Sequence, residues 1–161
     1  MKLKNNVLSL DETDFGILEA LQKDSRQTYT AIGKKIGIAH STVYDRIRRM
    51  EQAEVIKNYT TIVDAEKMSV RNITAMMTVY TDPKETEKVA ERLAEADETL
   101  EVYTSLSEEF LIMAKVSSPN QDELHAFIAN KVAPLPGVLR IRTSIATKKL
   151  KETRFLVRSN R

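Results

Sequence analysis

Two glycines and a valine at fixed spacing limit what the first half of this 161-residue chain can become. Gly33, Gly37 and Val43 stand in a Gly-x3-Gly-x5-Val frame, with Ile32, Ile36, Ile38 and Ile47 around them. Two helices that cross at a tight turn need a small residue where their backbones touch, and Gly33 supplies it. The turn itself needs a positive φ, which glycine adopts at no steric cost, and Gly37 stands there. The second helix must offer the first an apolar residue, and Val43 does so. The frame is that of a helix-turn-helix.

The flanks extend the unit. Ser9-Leu-Asp-Glu12 has the form of a capping box, and Phe15, Ile17, Leu18 and Leu21 give helical periodicity to about Lys23. Thr28 is a capping residue for a second helix that stops at Gly37. "HSTVYDRIRRM", residues 40–50, is the third helix, running to about Ala53. Residues 55–63 are rich in β-branched side chains and read as extended. The first domain is therefore expected over 9–63, with a polar connector over 64–72.

The second half alternates. Ile73–Thr81 reads as a strand. Asp82-Pro83 opens a helix to about residue 96, with proline near its first position. Two strands follow, Leu100–Leu106 and Phe110–Val116, around a Ser-Glu-Glu turn. A helix starting at Pro119-Asn120 carries Leu124, Phe127, Ile128 and Val132 on one face and ends at "PLPG", residues 134–137. Val138–Ala146 is the last strand. The order β-α-β-β-α-β is the ferredoxin-like pattern. The expected class is α+β, a helix-turn-helix (winged-helix-like) domain followed by a ferredoxin-like domain over 73–161. Helices cover one sheet face, and the other is left for dimerisation.

Charge is distributed unevenly along the chain. Residues 1–60 hold 10 Lys+Arg against 8 Asp+Glu, residues 61–139 hold 7 against 14, and residues 140–161 hold 8 against 1. An acidic middle does not lie on nucleic acid, whereas the first segment and the tail can. In the tail, Lys148, Lys149, Lys151, Arg154, Arg158 and Arg161 surround Leu150, Phe155 and Leu156. Packing on a partner subunit is the favoured role, with DNA contact or pairing with an acidic neighbour as alternatives.

The exposed face of the third helix carries the functional signal. His40, Ser41, Thr42, Tyr44 and Asp45 fall near its N-terminal end, where a recognition helix meets base edges. Arg46, Arg48 and Arg49 lie along it, and arginine contacts guanine bidentately or phosphate by charge. The alternative is a solvated face with intrahelical pairs such as Asp45–Arg49.

Other chemistries lack their residues. There is no cysteine, and the two histidines, His40 and His125, fall on different domains with no metal-ligand spacing. Met76, Met77 and Met113 read as strand packing, and the acids over 82–101 as a solvated helix face. No phosphate loop, dinucleotide fingerprint or nucleophile elbow is present, so no cofactor is expected. No apolar run approaches the roughly 18–20 residues a membrane span needs, and the start lacks a signal-peptide core, so a cytoplasmic protein is expected.

With these features in place, the sequence resembles the Lrp/AsnC, or feast/famine, transcription regulators. The resemblance rests on "LDETDFGILEALQKDSR" at 10–26, "GIAHSTVYDRIRRME" at 37–51, "VIKNYTTIV" at 55–63 and Leu135-Pro-Gly-Val138. It implies a regulator that binds double-stranded DNA as a homodimer or higher homo-oligomer. It also implies a sensing domain for a small amino-acid effector. Ala39 stands where the family usually has a serine N-cap, so that His40 or Ser41 is expected to cap instead. Glu54 stands at a family glycine. The family's Gly-x-x-Asp turn, whose backbone helps hold the effector between subunits, is here Leu106-Ser-Glu-Glu109. The resemblance thus marks Leu106, Ser107 and Glu109, with Thr143 on the last strand, as effector-binding positions.

Two rivals to a sequence-reading regulator are an architectural protein that binds DNA without preference and a tetrapyrrole decarboxylase of the same fold. The decarboxylase needs histidine on the sheet, and the predicted strands carry none.

Overall fold

Two aspartates start the first helix. In the computed structural model, which describes residues 8–63, 67, 72–105 and 109–152, helix α1 spans Glu12–Lys23 with Asp11 as its N-cap. The Asp11 carboxylate accepts from the Asp14 amide at 2.9 Å, and the Asp14 carboxylate accepts from the Asp11 amide at 3.0 Å. The capping box is therefore Asp11–Asp14 and not the expected Ser9–Glu12. Leu8 and Leu10 pack on the core of the unit, so the chain is held against it until Asp11.

Helix α2, Tyr29–Ile36, is capped by Thr28, whose hydroxyl accepts from the Ala31 amide at 3.2 Å. It ends at Gly37 with φ 85°. A Cβ on Gly33 would lie 2.6 Å from the Ile38 carbonyl oxygen, so the turn closes only over a glycine. Helix α3 spans His40–Gln52. Its N-cap is Ala39, with no side-chain cap; His40 and Ser41, expected to cap, lie inside the helix, one step too far along. After α3, Glu54 takes the left-handed conformation at φ 55°, and the amides of Val55 and Ile56 both return to the Met50 carbonyl at 2.9 and 3.1 Å.

Residues 55–63 form no strand, contrary to expectation. A β-branched run needs a partner to pair with, and none stands beside it among the described residues. What anchors it is Ile56, packed on the core, and Tyr59, whose hydroxyl donates to Glu51 at 2.8 Å. The core of this unit is Ile17, Ile32, Val43, Ile47 and Met50, all at most 1% exposed.

The chain divides into two compact units, the first running to Ile62 and the second covering Val63–Leu150. Most of the expected connector lies outside the described residues, as does the tail from residue 153. The second unit runs β1 (Ile73–Thr81), α4 (Thr86–Ala94), β2 (Thr99–Ser105), β3 (Leu111–Ser118), α5 (Gln121–Phe127) and β4 (Val138–Ile145). A π-helical turn, Ile128–Val132, follows α5. Helix α4 starts later than Asp82-Pro83 foretells. Asp82 first makes a turn, accepting from the Lys84 amide on its side chain at 2.9 Å and from the Glu85 amide on its carbonyl at 3.0 Å.

The four strands form one antiparallel sheet in the order β2-β3-β1-β4, the ferredoxin-like arrangement. Alternation along β1 sends Ala75, Met77, Val79 and Thr81 inward. They meet Ile112, Ala114 and Val116 of β3 under Val89, Leu93, Leu124, Phe127 and Val132 of the helical layer. The other face holds Met76, Tyr103 and Met113, which are 53%, 56% and 43% exposed.

Candidate nucleic-acid interface

Helix α3 presents three different sides. Val43, Ile47 and Met50 face the core. The side toward α1 carries Arg46 and Arg49, and both are already engaged. Arg46 Nη1 donates to Asp11 Oδ2 at 2.6 Å and to Asp14 Oδ1 at 3.0 Å, while Arg49 Nη2 donates to Asp14 Oδ2 at 2.6 Å. Asp14 is fully buried, and the Arg46 side chain is only 25% exposed. Hydrogen bonds from Arg46 hold the Asp11 carboxyl at about 2, below its ordinary 3.8, and the aspartates in turn raise Arg46. The α1 cap and two arginines of α3 thus form one ionic brace between the helices.

The opposite side carries Tyr44 and Glu51. The Tyr44 ring packs tilted on Tyr29, centroids 5.9 Å apart, and Glu51 holds Tyr59. Between the two sides runs an exposed stripe: Ser41, Asp45, Arg48 and Gln52, spaced at four, three and four residues. Thr42 and His40 are exposed beside it in the first turn. Among the described residues, Asp45 and Arg48 make no ion pair. The intrahelical Asp45–Arg49 pair weighed from the sequence is not formed, because Arg49 goes to Asp14.

All eight residues singled out on α3 therefore sit on one helix but not in one state. His40, Ser41, Thr42, Asp45 and Arg48 are open, Tyr44 is half-covered by Tyr29, and Arg46 and Arg49 brace α1. Sequence reasoning missed Asp14 and Tyr29. The signal for Asp14 was an acid in the apolar stripe of α1, three and four residues before Ile17 and Leu18. A buried acid needs a partner, and arginines one turn apart on α3 are that partner.

A family model described as winged helix-turn-helix DNA-binding matches residues 10–57. A second, described as the Lrp/AsnC ligand binding domain, matches residues 74–156. The chain belongs to the Lrp/AsnC family of transcription regulators.

Its relatives within this family include the HTH-type transcriptional regulator LrpA of Pyrococcus horikoshii. That protein is 34% identical over 142 residues, covering 88% of this chain and 99% of the relative. The LrpA of Pyrococcus abyssi is 32% identical over 88% of this chain and 99% of its own. Among solved structures, E. coli AsnC shares the fold with a TM-score of 0.79 at 23% identity, over 92% of this chain and 99% of AsnC. A Neisseria meningitidis regulator solved as an L-Met complex shares it with a TM-score of 0.77 at 21% identity, over 90% and 94% of the two chains.

The positions that the resemblance marks for an effector fall partly within the described residues. Leu106 and Ser107 lie outside the described residues. Glu109 lies beside a shallow cavity of about 330 Å³ lined also by Tyr80, Thr81, Phe110, Leu139 and Arg140. The Arg140 guanidinium lies 3.8 Å from the Tyr80 ring centre, and its Nη2 is 3.9 Å from Glu109 Oε2. Thr143 pairs with Met77, three residues along β4 from Arg140. That is about 10 Å along the strand, and alternation puts Thr143 on the other side of the sheet. Thr143 does not line the cavity beside Glu109. No group of three or more metal-ligating side chains occurs among the described residues, and no helix there is long and apolar enough to cross a membrane.

Proposed function

We propose that this Lrp/AsnC protein is a sequence-specific regulator that binds double-stranded DNA as a homodimer, with α3 in the major groove. The observation that carries this reading is the open stripe Ser41, Asp45 and Arg48 on a helix whose other two sides are fixed by Asp14 and Tyr29. A reading surface needs side chains that are unspent on a helix that is held. Thr42, His40 and Tyr44 flank the stripe and serve phosphate or sugar contacts. The uncapped amides after Ala39 favour an anion at the same end.

Dimerisation through the sheet is supported by the apolar residues on its open face, Met76, Tyr103 and Met113. Two heads then meet half-sites about 34 Å apart. The effector is a small amino acid. This rests on the ligand-binding family match and on the L-Met held by the Neisseria neighbour. Glu109 and Arg140 offer the opposite charges that an ammonium and a carboxylate require. A ligand touching both Glu109 and Thr143 takes them from two subunits. An enzyme of the same fold is disfavoured because the named relatives are regulators. The cytoplasm, where such a regulator meets its DNA, is the compartment this reading assigns.

The test is an anisotropy titration at two salt concentrations, using the duplex upstream of the protein's own gene and a scrambled duplex. Preferential binding to the first at both salts is the expected result. Equal binding that collapses with salt makes the protein architectural instead. Failure to bind either duplex, with and without a mixture of amino acids, overturns the reading.

A further inference from the structure

The stripe on α3 contains a carboxylate where a polyanion must approach. Asp45 is exposed, four residues after Ser41 and three before Arg48, on the side of the helix opposite Val43, Ile47 and Met50. It does not neutralise Arg49, which is held by Asp14 at 2.6 Å. Nor is it needed as a cap, since α3 begins five residues earlier. An acid facing phosphates is repelled by them. At the centre of a DNA-reading face its favourable partner is a hydrogen-bond donor on a base edge.

We propose that Asp45 is a specificity-determining residue that accepts a hydrogen bond from the exocyclic amine of a cytosine in each half-site. This rests on the DNA-binding reading above. In the major groove only cytosine and adenine present an amine. Adenine places the N7 acceptor beside its amine, and a carboxylate has no proton to offer it. Cytosine has no acceptor on that edge beside its amine. The paired guanine shows two acceptors, O6 and N7, and Arg48, one turn further along the same stripe, carries the donors that match them. The acid and the arginine then select the same C·G base pair, one from each strand. Arg46 and Arg49, committed to the brace, do not take part in base selection.

The experiment is selection from duplexes with a randomised core, using the full chain as wild type, Asp45→Ala and Asp45→Asn. Asp45 is exposed and outside the core, and a thermal melt of each variant verifies that it folds. The wild type is expected to select cytosine at one position per half-site by about tenfold or more. Asp45→Ala loses that preference there and keeps the rest of its motif. Asp45→Asn moves the preference to adenine, whose amine and N7 match an amide. An unchanged motif in Asp45→Ala, or a uniform gain in affinity for every sequence, overturns the inference and leaves DNA binding intact. If the wild type selects no motif, the regulator reading fails instead.

Discussion

Glu54 occupies a backbone conformation that suits glycine. At φ 55° its Cβ crowds the following carbonyl, which costs an L-residue roughly 1 kcal/mol. The turn is kept because the amides of Val55 and Ile56 both close on Met50, and that pulls Ile56 onto the core. Glu54→Gly is therefore expected to stabilise the protein by about 0.5–1 kcal/mol, read as a higher urea midpoint at unchanged slope. The family resemblance marks this position in the sequence, and the backbone φ of 55° shows that the glutamate accepts the strained turn and does not remodel it. Asp14 was harder to see. Its place in an apolar stripe is visible in the sequence, yet its partners are thirty-two and thirty-five residues away, and nothing local names them.

At the scale of elements, the brace between α1 and α3 sets the pose of α3. Asp14→Asn removes the buried charge that Arg49 and part of Arg46 rely on. The arginines retain access to solvent, so the loss is expected at about 2 kcal/mol, below that of a fully buried pair. Chemical denaturation of the variant measures it. Asp11 gives the brace a pH signature. Its folded value of about 2 lies below its ordinary 3.8. Its contribution is thus fully present above about pH 4 and is lost as pH falls toward 2. Asp11→Asn should flatten that acid limb of the stability profile and leave the slope above pH 5 unchanged, as read by urea midpoints across pH. The elements themselves were largely legible. Thr28, Gly37 and the alternation of β1 act locally, and the helix and strand they imply are the ones found. The misjudged run at 55–63 shows the limit. Strand propensity describes a willingness to pair, and pairing depends on a neighbour that composition does not supply. The late start of α4 has the same origin, since Asp82 spends its side chain on a turn first.

Across the whole molecule, two cores with no shared residue support two tasks. If the open sheet face joins subunits, a charge at its centre must separate them. Met113, beside Thr78 on one strand and Tyr103 on the other, is that centre. Met113→Glu is expected to yield monomers by light scattering, with each unit still folded. The variant should bind a two-half-site duplex at least tenfold more weakly, because the second head no longer arrives tethered. The effector region is the part that sequence and a single subunit leave least determined. Glu109 and Thr143 are readable as positions, but Thr143 does not line the cavity beside Glu109.

The strand order also has a consequence for how the protein is born. Strand β1 lies inside the sheet, and both of its neighbours come later in the chain: Ile73 pairs with Ser118 and Ala75 with Ile145. The three helices of the first unit, by contrast, are complete by Gln52. A ribosome releases the chain in that order, and local contacts close sooner than distant ones. Each nascent molecule therefore passes through a stage in which the helices of its first unit are finished while the sheet of its second does not yet exist.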